Sequence, residues 1–171
     1  SLRSGAKVIR GGSEFLLLVE RLIAILFFIR WRKHMNEPYS GGCACASIRN
    51  EIAREPLAMV DCQCRDCQRK GGTGHGSYAV FPRANVKLTG DAKHWDLVAD
   101  SGNVKTRAFC PQCGAPVYVT FAANPGVFAV HAASLDDPGR YKPQLVTYRV
   151  RGYAWDHIDE SLPGFDRMPP R

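Results

Sequence analysis

Seven cysteines lie between residues 43 and 113 and nowhere else in the 171-residue chain, and they come in three tight knots. The knots are C-x-C (Cys43, Cys45), C-x-C-x-x-C (Cys62, Cys64, Cys67) and C-x-x-C (Cys110, Cys113). An extracellular disulfide scaffold uses an even number of cysteines scattered through a short chain, so this odd, clustered set points to a reducing compartment. Tight pairs are what a metal knuckle needs, because a turn aims two sulfurs at one ion. Soft thiolates select zinc-like ions over magnesium or calcium. Cys43, Cys45, Cys110 and Cys113 together offer four thiolates, enough to close a tetrahedral site. That leaves Cys62, Cys64 and Cys67 one ligand short. Their site is closed by His75 or an acidic residue, left as free thiols lowered by Arg65, Arg69 and Lys70, or kept open for a substrate. Spacing alone does not choose among these, nor does it fix the partition into four and three.

The cysteines sit in a body that reads as β. From Tyr39 onward, short runs rich in Val, Phe, Tyr and Thr alternate with Gly, Pro, Asn and Asp: CASIRNEI, LAMVDC, SYAVFP, NVKLTG, HWDLVAD, VKTRAFC, VYVTFA and VFAVHAA. No window after residue 35 holds a helical period for long, so helix is expected only as short turns, at Asp66–Lys70 and in DHIDESL. The expected fold is mostly β, a single domain of small twisted antiparallel sheets with metal sites in the turns. In a C-x-C strand, neighbours two apart face one way, so Cys43 and Cys45 would present both sulfurs to one side. Trp155 and Phe165 are expected in the core.

Net charge is +7 over the whole chain, but residues 1–34 account for +5 and the remainder for +2. The body therefore lacks the basic stripe of a nucleic-acid binder, and no nucleic-acid partner is expected. The apolar run from Leu22 to Ile29 is cut off by Glu20 and Arg21 on one side and Arg30 on the other, too short for a membrane span. No small-residue cleavage site follows it. Translation is expected to start at Met35, with residues 1–34 outside the native fold and residues 35–171 forming the zinc-binding domain.

The segments GGCACASIRNE, CQCRDCQRKGG, FCPQCGAPVY, SLDDP and the closing WDHIDESLPGFDRMPP resemble the glutathione-dependent formaldehyde-activating enzyme family, in that order and spacing. The resemblance runs from about residue 38 to the C-terminus, and the seven-cysteine pattern is its specific part. It implies a β-tent zinc fold. It implies further that Cys43, Cys45, Cys110 and Cys113 hold a structural zinc, while Cys62, Cys64 and Cys67 hold a catalytic zinc whose last ligand is the substrate. The implied activity is that of a cytoplasmic carbon–sulfur lyase, S-(hydroxymethyl)glutathione synthase-like, with zinc as cofactor and a small thiol and aldehyde as partners. Arg65, Arg69, Lys70 and Arg107 are candidates for the carboxylates of glutathione. His75 reads as a surface histidine, and Asp136-Asp137-Pro138 as a turn. Ala46 stands where the family more often has Gly, and Gln63 where it often has His. A contrasting reading is a non-catalytic binding module in which both metals are structural.

Overall fold

In the computed structural model, residues 19–23, 25–26, 37–100 and 102–169 are described. The chain divides into two units, Ser1–Glu37 and Pro38–Arg171. In the first, the described residues at 19–23 and 25–26 are helical; most of the extension, including the expected start at Met35, lies outside the described residues. Among the described residues no helix is long and apolar enough to cross a membrane.

The second unit is mostly β. Its strands are β1 (Tyr39–Gly42), β2 (Arg49–Ile52), β3 (Ala58–Cys62), β4 (Gly76–Pro82), β5 (Val86–Thr89), β6 (Lys93–Val98), β7 (Val104–Phe109), β8 (Pro116–Phe121), β9 (Val127–His131), β10 (Leu145–Thr147) and β11 (Gly164–Phe165). One helix, α1 (Arg65–Gly71), follows β3. β1, β2 and β5 make a three-stranded antiparallel sheet; the other strands make a second sheet in the order β11-β10-β3-β4-β9-β8-β7-β6. The expected antiparallel pairing holds except at one edge, where β10 runs parallel to both β3 and β11.

Alternation along the strands decides where the core forms. Met59, Phe81, Tyr118, Phe128 and Val130 of the large sheet and Tyr39, Ile52 and Val86 of the small one join a single buried cluster. Phe81 and Phe128 are fully buried, and each is worth about 2–3 kcal/mol of transfer free energy by burial alone. Tyr39 meets Phe81 edge-on at 5.1 Å between centroids, and Tyr118 lies 4.7 Å from Phe128. The opposite face of the large sheet carries Val60, Tyr78, Val80, Ala129, Val119 and Arg107. These are successive cross-strand neighbours in register, so they form one continuous surface.

Cys43 and Cys45 sit in the β1–β2 turn rather than in a strand, so their convergence comes from a knuckle and not from strand alternation. The knuckle closes with Cys43 N–H donating to Ile48 O at 3.0 Å and Ala46 N–H to Cys43 O at 3.0 Å. It also forces Ala46 to φ 62°, a left-handed conformation that costs a residue with a Cβ about 1–2 kcal/mol. Ala46→Gly is therefore expected to stabilise the fold by about 0.5–1 kcal/mol, after allowance for the freer unfolded chain. Urea unfolding checks this; a lower midpoint for the variant would contradict it.

DHIDESL forms turns and bends instead of a helical turn. Asp156 is drawn inward by other partners, and Asp159 Oδ1 accepts from Ser161 N–H at 2.9 Å, a local side-chain turn that competes with helix. Trp155 is exposed and stacks on Tyr153 at 5.1 Å, so it does not belong to the core. Asp137 caps a 3-10 turn at Pro138–Arg140, as the turn reading of that run expects.

Candidate metal centres and the cavity beside them

The knuckle at the end of β1 and the turn after β7 bring four sulfurs together: Cys43, Cys45, Cys110 and Cys113 all lie within 4.8 Å of one another. Cys43 Sγ is 3.5 Å from Cys45 Sγ, which is 3.6 Å from Cys110 Sγ. Tetrahedral ligands about 2.3 Å from zinc stand about 3.8 Å apart, so the spacing fits such an ion. Ile48 N–H donates to Cys43 Sγ at 3.2 Å. The Ser47 hydroxyl and backbone N–H pull Cys45 down to about 6, favouring the thiolate that a metal needs. The turn also has its own brace across the two halves, since Gln112 Oε1 lies 2.7 Å from Ser47 Oγ and 3.8 Å from Cys45 Sγ.

Cys62, Cys64 and Cys67 form the second group, all three buried and within 4.8 Å of one another. Their convergence follows from local structure. Cys62 ends β3, Cys64 sits extended at the helix N-cap, and α1 then turns Cys67 back beneath it. The Cys64 carbonyl accepts from Cys67 N–H at 3.0 Å and Gln68 N–H at 3.1 Å. The helix ends at Gly72, in the left-handed region, donating to Gln68 O. Hydrogen bonds from Cys62 and Cys67 hold Cys64 well below the usual thiol range. Interaction with Cys62 and Cys64, then burial, pushes Cys67 up. Three buried sulfurs cannot all ionise side by side unless a cation joins them, so the donor set fits a soft divalent metal.

Among the described residues no His, Asp or Glu completes this group. His75 is elsewhere engaged: its Nδ1 lies 2.7 Å from Asp156 Oδ1, and it is half-buried rather than a free surface histidine. Asp156 also accepts from Gln63 Nε2 at 3.0 Å, so Gln63 anchors the C-terminal segment over the cluster. Gln68 Nε2 adds a further tie to the same segment, donating to Gln63 O and to Arg151 O. Asp156 escaped the sequence reading because nothing in a Trp-Asp-His run marks its carboxylate as buried.

A cavity of about 120 Å³ opens onto Cys62 and Cys67. Its walls include Val60, Val80, Val119 and Phe121, with Arg107 and Lys105 as its cations. Tyr78 lies between cavity and cluster, its hydroxyl donating to Cys67 Sγ at 3.4 Å. Of the four cations named from sequence, Arg107 alone lines this cavity. Arg65 donates to Gln68 and Tyr153, and Arg69 is exposed. Lys70 donates to His131 Nε2 at 2.8 Å.

That Lys70–His131 contact has a pH signature. Burial, then the charges of Lys70 and Arg107, hold His131 down at about 3, so the ring stays neutral and accepts. An unfolded imidazole titrates near 6.5. Between about 6.5 and 3 the unfolded chain takes up a proton that the folded chain refuses, so stability falls as pH falls through this window. At about pH 5 the loss is on the order of 2 kcal/mol. His131→Gln is expected to be free of this share, so its deficit against the parent chain should shrink between about pH 7.5 and pH 5. Urea midpoints at both pH values check it; a deficit that does not change would contradict the assignment.

A mostly β protein with two separate cysteine clusters, one of them beside a cavity, is the class these features define. The chain belongs to the glutathione-dependent formaldehyde-activating enzyme family, whose model matches residues 38–151. A relative from Colletotrichum graminicola, provisionally named a glutathione-dependent formaldehyde-activating enzyme, is 27% identical over 118 residues, covering 64% of this chain and 61% of the relative. The chain thus spans about six tenths of that relative's length. A solved Rhodobacter sphaeroides protein is similar with TM-score 0.46 and 20% identity, over 57% of this chain and 87% of that one.

Proposed function

We propose that residues 35–171 are a carbon–sulfur lyase or synthase that joins a glutathione-like thiol to a small aldehyde such as formaldehyde. In this reading two zinc ions are bound per chain, a structural one at Cys43, Cys45, Cys110 and Cys113 and a catalytic one at Cys62, Cys64 and Cys67. The observation that carries it is a buried set of three thiols with a cavity opening onto two of them and no further protein ligand among the described residues. A purely structural site normally closes with four protein ligands. The seven free thiols suit the cytoplasm.

Zinc at the second cluster would supply the Lewis acidity that keeps a substrate thiol ionised at neutral pH. The protein's own groups do the rest. Val60, Val80, Val119 and Phe121 exclude water and hold the aldehyde against the sulfur, turning an encounter into a near-unimolecular step. Tyr78 fixes Cys67 by its hydrogen bond. The sulfur lone pair forms the carbon–sulfur bond, the carbonyl π pair moves to oxygen, and the proton lost from the thiol returns to that oxygen as the hydroxymethyl product. The reverse reaction breaks the same bond.

Exchange NMR between glutathione, formaldehyde and their adduct tests this against the spontaneous reaction. Zinc-replete protein should raise the exchange rate and Cys67→Ser should not. No enhancement by zinc-replete protein with any thiol and aldehyde pair would favour the binding-module reading instead.

A further inference from the structure

The cavity beside Cys62 and Cys67 constrains the substrate by size, polarity and charge. Its volume is about 120 Å³. A cavity of about 150 Å³ takes one benzene, so the part of a guest buried here has about five non-hydrogen atoms. Val60, Val80, Val119, Phe121 and Ala129 give it apolar walls, against which peptide amides would lose their hydration without replacement. One feature is out of keeping with an apolar pocket. Arg107 and Lys105 both line it from β7, and among the described residues neither is paired with a carboxylate. Arg107 is half-buried, set in register between Trp95 and Val119, while Lys105 lies over the Phe121 ring at 6.0 Å. Tyr78, whose hydroxyl touches Cys67, lines the same cavity as Arg107 and Lys105. Sulfur ligands and an unpaired guanidinium therefore face one small apolar space.

We propose that this cavity takes a short mercaptocarboxylate, with its sulfur at the Cys62–Cys64–Cys67 cluster and its carboxylate on Arg107. An apolar stem of two or so carbons fills the space between. A planar guanidinium suits a carboxylate because it can donate two parallel hydrogen bonds. Glutathione fits less well: only its cysteinyl arm can enter, and both its carboxylates sit beyond polar amides. The proposal rests on the reading of the second cluster as an open metal site.

The test uses the full chain loaded with cobalt(II) in place of zinc, whose thiolate-to-cobalt absorption reports an added sulfur ligand. Mercaptopropionate, propanethiol, cysteamine and glutathione are titrated separately. Mercaptopropionate should bind about tenfold or more tighter than each of the others. Arg107→Gln should remove its advantage over propanethiol while leaving propanethiol binding as it was, which also shows that the variant is folded. Arg107→Lys should retain part of the preference. Glutathione binding as tightly as mercaptopropionate, or an unchanged preference in Arg107→Gln, overturns this inference and leaves the open site standing. If both clusters take up cobalt and no thiol alters the spectrum, the open-site reading falls and this inference falls with it.

Discussion

Cys110→Ser is expected to unfold the second unit, whereas Cys67→Ser is expected to abolish turnover in a chain that stays folded. The contrast follows from what each cluster joins. Cys110 is fully buried and belongs to the main core, and its partner Cys45 lies 65 residues away in sequence, so the four-cysteine group ties the first knuckle to a late turn. Structural zinc in small modules binds with an apparent free energy of about 10–16 kcal/mol, as large as the about 5–15 kcal/mol that holds a typical domain together. Without such an ion at this cluster, too little stability would remain. Cys67 instead sits in a satellite cluster with Cys62, Cys64 and Tyr148, away from the main core. Its loss should leave cooperative unfolding in place while exchange catalysis drops to the spontaneous rate. Circular dichroism melts with exchange NMR on both variants read this out. Equal unfolding of the two would mean that the second cluster is structural as well.

Gly90→Ala is expected to be the most damaging single-methyl change in the fold. Gly90 has φ +83°, and a Cβ there would overlap the carbonyl oxygen of Ser47. The left-handed conformation alone costs about 1–2 kcal/mol. The overlap adds to this, because Ser47 is backbone in the knuckle that holds Cys43 and Cys45 and is braced by Gln112. A total of about 3 kcal/mol or more is expected, with weaker metal retention at the four-cysteine cluster. Gly102→Ala separates the two causes, since Gly102 has φ +77° and a Cβ there would meet nothing within 4 Å. It should cost only about 1 kcal/mol. Comparable urea midpoints for the two variants would show that the close approach to the knuckle is not what matters.

Much of this was legible in the residues. Each of the eight apolar runs overlaps one of β2 to β9, with β4, β6 and β8 starting one residue earlier than their runs, because alternation and β-branched content report half-buried sheet directly. β1, β10 and β11 were not legible. Tyr-Ser-Gly-Gly has no alternating pattern, and Leu145–Thr147 and Gly164–Phe165 are too short to show one; β10 exists because β3 and β11 pair with it on either side. The grouping of the cysteines into four and three was left open by spacing and implied by the family resemblance, and the sulfurs do converge in those groups. How Cys43 and Cys45 converge was misread as strand geometry, since a knuckle built on Ala46 at positive φ is not visible in a residue other than glycine. The long-range partners were beyond reach for a general reason. Contacts such as Gln63 to Asp156 or Lys70 to His131 span 93 and 61 residues and carry no local pattern.

The most direct test of the account is zinc content of the full chain, purified under reducing conditions and measured by elemental analysis with and without added glutathione or mercaptopropionate. The two clusters predict two zinc ions per chain. One should be held tightly at Cys43, Cys45, Cys110 and Cys113, and the other should become exchangeable when thiol is added. A single tightly held zinc after metal repletion, or two that thiol leaves untouched, would contradict the open site at Cys62, Cys64 and Cys67.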